Sequence, residues 1–160
     1  MSELIRIIYI SKATFDVANP SNIINAQVQQ ILEKSRLNNS KNNLNGILYF
    51  GDGFFFQCLE GPKKSVENLY DKLKVDPRHK DLKIVSYERI NSINYSNWKM
   101  KYAHIEKEMQ KLMIVFGFNH FDPYLFDEHM IDKVLKLLEV SQNIEILADT
   151  SENTHAEVKN

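Results

Sequence analysis

The feature that most constrains the fold is a pair of apolar segments joined by a very short turn. Residues 47–50 and 54–59 are rich in aromatic and β-branched side chains, and only Gly51-Asp52-Gly53 separates them. An Asp/Gly connection between two such segments is typical of a β-hairpin, because Gly and Asp tolerate the positive φ angles of tight turns. We therefore predict two neighbouring antiparallel strands in the middle of the chain.

Strand-like and helix-like patterns alternate on either side of the hairpin. Residues 4–10 alternate as a strand does, with Tyr9 on the same face as Ile5 and Ile7. The other predicted elements are a helix over about 20–37, capped by Asn19-Pro20, a helix built on Val66, Leu69, Tyr70 and Leu73 that ends before Pro77, and strands at 82–90 and 98–105. The order β-α-β-β-α-β(β) indicates an α+β, ferredoxin-like fold in which both helices cover one face of the sheet.

The last third of the chain changes to a helical pattern. Two amphipathic helices are predicted there, with a break near Asp122-Pro123, and we expect their apolar stripes to cover the free face of the sheet. The final residues are polar and aperiodic, which predicts a disordered tail. The predicted division is residues 1–105 for the sheet domain, 106–148 for a helical extension and 149–160 for the tail.

Composition and charge argue against several classes of protein. The chain has 20 Lys and Arg against 21 Asp and Glu, and its formal net charge of -1 predicts binding neither to nucleic acid nor to an anionic membrane. The chain lacks an export signal and a membrane-spanning apolar run, which predicts a cytoplasmic location. Cys58 is the single cysteine and the histidines lack metal-type spacing, so we expect neither a disulfide nor a metal site.

Tyr9 and Gln57 are the two polar residues that interrupt otherwise apolar strands. A buried hydroxyl or amide without a hydrogen-bond partner costs about 1–3 kcal/mol, so a polar group should meet each of them if both are buried. The alternative is that Gln57 faces solvent and that Tyr9 lies at the edge of the core. Asn38-Asn39 can equally serve as a helix stop, and Arg78-His79 as a solvated turn.

Five short motifs, in order along residues 4–102, resemble the BLUF (blue light using flavin) family. They are Tyr9-Ile10-Ser11; Ser35-Arg36-Leu37-Asn38-Asn39 with Leu44-Asn45-Gly46; Phe55-Phe56-Gln57-Cys58-Leu59-Glu60-Gly61; Asp76-Pro77-Arg78-His79; and Trp98-Lys99-Met100. The segment from Ser11 to Asn19 is longer than is usual in that family. The resemblance implies a photosensor domain at residues 1–105 of this chain.

The resemblance also implies a site for a non-covalent flavin between the two helices, FAD by preference, with FMN or riboflavin as alternatives. In it, Tyr9 would donate an electron and a proton after illumination, and the hydrogen bonds of Gln57 would rearrange. Asn39 would bond the flavin carbonyl edge. The implied flavin contacts are Ile31, Ser35, Asn38, Asn39, Gln57, Leu73, Asp76, Arg78 and His79. Trp98 and Met100 are expected on one strand face, with one of them beside Gln57.

The implied function is a blue-light photoreceptor that is not an enzyme. It would signal through the last strand and the C-terminal helices to a protein partner or by self-association, because the residues after the sensor are too few for a cyclase domain. Three alternatives stay open: an RNA-recognition module using Phe54 and Phe56, a small hydrolase, and a passive flavin-binding protein. Asp52 stands where the RNA-binding pattern expects a basic residue.

Overall fold

The computed structural model describes residues 3–15 and 26–141. Its elements are β1 (Leu4–Ala13), α1 (Ala26–Asn42), β2 (Asn45–Gly51), β3 (Phe54–Pro62), α2 (Lys63–Lys74), β4 (His79–Ile90), β5 (Lys101–Tyr102), α3 (Glu106–Phe116), a 3₁₀ turn (Pro123–Leu125) and α4, which is helical over 128–141. The predicted helix start near residue 20, its Asn19-Pro20 cap and the predicted tail at 149–160 lie outside the described residues.

The strands form one sheet in the order β4-β1-β3-β2-β5. β1 pairs antiparallel with both β3 and β4, β2 pairs antiparallel with β3, and β5 pairs parallel with β2. Two crossover connections, each carrying one helix, link strands that are not neighbours in the sheet. The predicted α+β, ferredoxin-like architecture is therefore confirmed.

The hairpin turn has the predicted backbone geometry. Asp52 and Gly53 both have positive φ angles, of 53° and 86°, as a two-residue hairpin connection requires. The Asp52 carboxylate also accepts a hydrogen bond of 2.8 Å from the backbone N–H of Phe121. The turn that aligns β2 with β3 thus also holds the segment that follows α3.

The two faces of the sheet carry separate hydrophobic clusters. Ile5, Ile7 and Tyr9 belong to the cluster packed with α1 and α2, which we call the α1/α2 face. Ile8 and Ile10 belong to the cluster packed with α3 and α4, which we call the C-terminal face. Alternation along β1 assigns these residues to opposite sides, as predicted. The expectation that the C-terminal helices cover the second face is also confirmed.

The predicted end of the first helix is wrong. α1 continues to Asn42 rather than ending at about residue 37, so Asn38 and Asn39 are helical rather than part of a turn. The run of asparagines is compatible with a last helical turn because Asn42 Nδ2 donates to the Asn38 carbonyl over 2.9 Å, and the Leu44 N–H donates to the Asn39 carbonyl over 3.0 Å. Asn43 then leaves the helix with a φ of 57°, a conformation that Asn adopts more readily than most residues.

The predicted fifth strand is also too long. Only Lys101–Tyr102 pairs with β2, whereas the prediction was 98–105. The chain turns before this pair, and the Trp98 N–H donates to the Tyr95 carbonyl over 3.0 Å. Strand alternation therefore does not apply to Trp98 and Met100, and they lie on opposite faces of the sheet rather than on one.

Substituting Gly46→Ala should destabilise the fold. A Cβ at residue 46 would lie 2.5 Å from the Cys58 carbonyl oxygen and 3.4 Å from Met100 Cε, and overpacking of this kind typically costs about 1–3 kcal/mol. The free energy of unfolding, measured by urea denaturation followed by circular dichroism, should fall by that amount. An unchanged unfolding midpoint would show that β2 and β3 can separate to admit the methyl group.

Candidate functional site

A cavity of about 570 Å³ lies on the α1/α2 face, a size ordinary for a small-molecule site. The sheet contributes Tyr9, Phe55 and Gln57; α1 contributes Ile31, Lys34, Ser35 and Asn38; α2 contributes Leu69, Lys72 and Leu73; and the segment entering β4 contributes Val75, Asp76, Pro77, Arg78 and His79. Side chains from both helices and two strands therefore converge on one space.

Tyr9 and Gln57 face each other across β1 and β3. They are register partners in the antiparallel ladder, so both side chains point to the same face of the sheet. The Tyr9 hydroxyl donates a hydrogen bond to Gln57 Oε1, and the two residues are only 2% and 5% exposed. Burial raises the pKa of Tyr9, so its hydroxyl keeps its proton and remains the donor. The alternative that Gln57 faces solvent is wrong.

The amide of Gln57 has a second partner beside the cavity. Its Nε2 donates to Met100 Sδ over 3.3 Å. Trp98 lies on the C-terminal face instead, where its ring stacks on Tyr95 with centroids 5.6 Å apart. Of the two candidates from the last motif, the structure therefore places Met100 next to Gln57.

An ion pair forms the charged part of the lining. Arg78 donates to both carboxylate oxygens of Asp76, with Nε–Oδ1 at 3.0 Å and Nη2–Oδ2 at 2.6 Å, and the Arg78 backbone N–H donates over 2.9 Å. The hydrogen bonds from the Arg78 guanidinium lower the pKa of Asp76 to about 2. The interpretation of Arg78-His79 as a solvated turn is wrong, because His79 is buried and the Arg78 side chain is only 22% exposed.

His79 joins the end of α2 to β1. Its Nε2 lies 3.1 Å from the Leu73 carbonyl oxygen and its Nδ1 lies 2.9 Å from Ser11 Oγ. A carbonyl oxygen only accepts, so Nε2 carries the proton. Burial lowers the pKa of His79, which favours the neutral ring, and Nδ1 then accepts from the Ser11 hydroxyl. This side chain holds the wall of the cavity in place.

Asn39 is the one predicted contact residue that does not line the cavity. Its Nδ2 donates to the Lys99 carbonyl, while its Oδ1 is buried without a partner among the described residues. Asn38, which lies next to it on α1, lines the cavity instead. The Asn39 amide thus bonds the segment that leads to β5, and its bond to the flavin carbonyl edge stays a prediction.

Six lining residues were missed by the sequence analysis, and simple spacing could have found several of them. Phe55 shares a strand face with Gln57 at i, i+2. Leu69 lies one helical turn before Leu73, and Lys72 lies one helical turn after Leu69. The missed set is Lys34, Phe55, Leu69, Lys72, Val75 and Pro77.

Comparison with known proteins decides the family. A family model described as "Sensors of blue-light using FAD", BLUF, matches residues 4–101. The chain belongs to the BLUF family. Its curated relatives include photoactivated adenylate cyclase subunit beta of Euglena longa, which is 29% identical over 105 residues, or 66% of this chain and 12% of that protein. The BLUF chain thus spans about a tenth of the length of the curated relatives it matches.

Solved structures of BLUF proteins resemble the chain over most of its length. BlsA in its photo-activated state is 31% identical with a TM-score of 0.72, covering 84% of this chain and 94% of BlsA. Ground-state BlsA is 29% identical with a TM-score of 0.74, covering 84% and 87%. The dark state of BlrB is 28% identical with a TM-score of 0.60, covering 72% and 83%.

The donor set of this BLUF cavity fits a flavin. Ile31 and Leu73 add apolar surface from the two helices, which suits the faces of a planar aromatic ring. Asn38, Gln57 and Arg78 bring N–H groups that can donate to ring carbonyl oxygens. Residues 3–15 and 26–141 contain no cluster of side chains suited to a metal ion, and no helix within them is long and apolar enough to cross a membrane.

Substituting Asp76→Asn should change how stability depends on pH. The pKa of Asp76 falls from an ordinary 3.8 to about 2 in the folded chain, so its stabilising contribution is complete above pH 4 and is lost as the pH falls towards about 2. The D76N variant should be less stable than the wild type at neutral pH, and the difference should shrink between about pH 4 and about pH 2. Urea unfolding over this range measures it, and a constant difference down to about pH 2 would contradict the assigned ion pair.

Proposed function

We propose that this chain is a blue-light photoreceptor that binds a flavin non-covalently in the cavity between α1 and α2. The observation that carries the proposal is the hydrogen-bonded series Tyr9, Gln57 and Met100 on the sheet side of that cavity. A phenol, an amide and a thioether in series have no evident role in packing alone, because apolar side chains would fill the same space without needing partners. The BLUF family supplies the ligand class.

FAD is the proposed flavin, with FMN as the next candidate and riboflavin as the third. The cavity lining includes Lys34 and Lys72, and neither lysine forms an ion pair within residues 3–15 and 26–141. Their positive charge favours a ligand that carries phosphate. Riboflavin lacks phosphate and would not use them.

Bound flavin would supply blue-light absorption and an oxidising excited state. Tyr9 would be the electron and proton donor, since its phenol is protonated and its hydroxyl points at Gln57. After this transfer, Gln57 would rearrange its hydrogen bonds, because an amide exchanges its donor and acceptor ends on rotation without creating a buried charge. The Met100 sulfur is a weak acceptor, so releasing Gln57 Nε2 costs less than breaking a bond to an oxygen would.

The output is proposed to pass through the segment before β5 to the C-terminal helices. This segment contacts both faces: Met100 touches Gln57, and Trp98 stacks on Tyr95. The Tyr95 hydroxyl donates to Glu139 of α4 over 2.7 Å. We therefore propose that a protein partner, or a second copy of the chain, receives the signal at these helices.

The role of the chain, its division into regions, its location and the contact of Asn39 with the flavin are also proposals. We propose sensing rather than catalysis as the role of this chain, although cyclases appear among the curated relatives. We propose residues 1–105 as the sensor and 106–148 as the helical extension. A cytoplasmic location and Asn39 as a group that reaches the flavin also stay predictions.

Substituting Tyr9→Phe or Gln57→Ala should abolish the light-induced red shift of flavin absorption while flavin stays bound. The first change removes the proton and the readily oxidised phenol, and the second removes the amide that rearranges. Absorption spectra in darkness and under blue light measure the shift, and the flavin content of each purified variant measures binding. Tyr49→Phe is the control, because Tyr49 is also a buried tyrosine but belongs to the C-terminal face. A normal shift in either Y9F or Q57A would refute the assigned roles.

Illumination should change the assembly or the protection of the C-terminal helices. Hydrogen exchange of α3 and α4, together with size-exclusion chromatography in darkness and in light, would detect either response. Tyr95→Phe, which removes the bond to Glu139, should weaken the response without removing the spectral shift. Identical exchange and elution in both conditions would count against a route through these helices.

A further inference from the structure

The segment that leads into β5 is held by bonds to three consecutive carbonyl groups. The Trp98 carbonyl accepts from the Gly46 N–H over 3.1 Å. The Lys99 carbonyl accepts from Asn39 Nδ2, and the Met100 carbonyl accepts from Arg36 Nε over 2.9 Å. β5 itself contains only Lys101–Tyr102, so the sheet ladder gives this segment little support. Two side chains of α1 provide the rest.

The Arg36 side chain is well placed for this role. It lies on α1 three residues before Asn39, so the two side chains share one side of the helix. Within residues 3–15 and 26–141, Arg36 forms no ion pair, and the Met100 carbonyl is its hydrogen-bond partner. An exposed arginine that bonds a carbonyl instead of a carboxylate is there for position rather than for charge pairing.

The orientation of Met100 follows from the orientation of its backbone. With its carbonyl directed to Arg36, the Met100 side chain enters the α1/α2 face and its sulfur accepts from Gln57. Trp98 then lies on the other face, against Tyr95. A rotation of this short segment would move Met100 away from Gln57 and disturb the Trp98 stack together.

We propose that Arg36 is a positioning residue: its bond to the Met100 carbonyl keeps Met100, rather than Trp98, beside Gln57, and thereby sets how long the light-induced state lasts. The claim about the lifetime of the light-induced state rests on the proposed photoreceptor function. The claim about the position of Met100 concerns the flavin-free chain and is tested without light.

Trp98 is the single tryptophan of the sequence, so its fluorescence reports on this segment alone. In flavin-free protein, acrylamide should quench Trp98 at least twice as efficiently in Arg36→Met as in the wild type, because methionine has no N–H to donate to the Met100 carbonyl and the ring loses its fixed stack on Tyr95. Arg36→Lys should restore most of the protection, since an ammonium group can also donate to the carbonyl. Arg89→Met is the charge-matched control, because Arg89 is exposed and pairs with Glu3. Wild-type quenching in R36M would overturn the proposal.

A double-mutant cycle tests whether Arg36 acts through Met100. Met100→Leu removes the sulfur acceptor directly, so R36M and M100L should each change the dark-recovery rate by at least threefold and in the same direction. In the M100L background, R36M should add less than a twofold change. Effects of the two substitutions on the rate that simply multiply in the double variant would overturn the proposal. A wild type that binds flavin but does not respond to light would refute the proposed function, and the fluorescence result would then decide the claim about the position of Met100 by itself.

Discussion

The hydrogen bond between the Tyr9 hydroxyl and Gln57 Oε1 depends on the register of β1 against β3. Side chains alternate along each strand, so a slip of one residue would move Gln57 to the C-terminal face and leave Tyr9 without its partner. The positive φ angles of Asp52 and Gly53 align β2 with β3. The place of Tyr9 and Gln57 side by side in the cavity lining follows from that pairing.

The two faces of the sheet differ: one carries the cavity with its polar residues, and the other packs against the C-terminal helices. On the α1/α2 face, a buried phenol and an amide meet a cavity with charged residues in its lining. On the C-terminal face, α3 and α4 form an apolar cluster with the opposite sides of the same strands. The segment from Trp98 to Met100 contacts both faces, and in the proposed route a small change at Gln57 would reach α4 through it.

Short sequence patterns predicted the elements whose structure depends mainly on residues close to one another in the chain. The hairpin and the two faces of β1 needed only the period of a strand and the chemistry of a turn, and the structure confirms them. The pairing of Tyr9 with Gln57 was implied only by the resemblance to the BLUF family, because strand patterns alone left Gln57 free to face solvent. The end of α1 was mispredicted because the asparagines satisfy one another and the helix backbone. The start of the fifth strand was mispredicted because the residues before Lys101 bond distant residues, Arg36 and Asn39, that no short window of sequence contains. In the same segment, Trp98 and Met100 lie on opposite faces of the sheet, and Asn39 Nδ2 bonds the Lys99 carbonyl.

The most direct test of this account is the absorption spectrum of the purified protein before, during and after blue illumination, with reconstitution from FAD if the protein is isolated without its flavin. We expect a bound-flavin spectrum that shifts slightly to longer wavelength in light and returns in darkness. A protein that binds flavin and shows no reversible shift, or one that takes up no flavin at all, would contradict it.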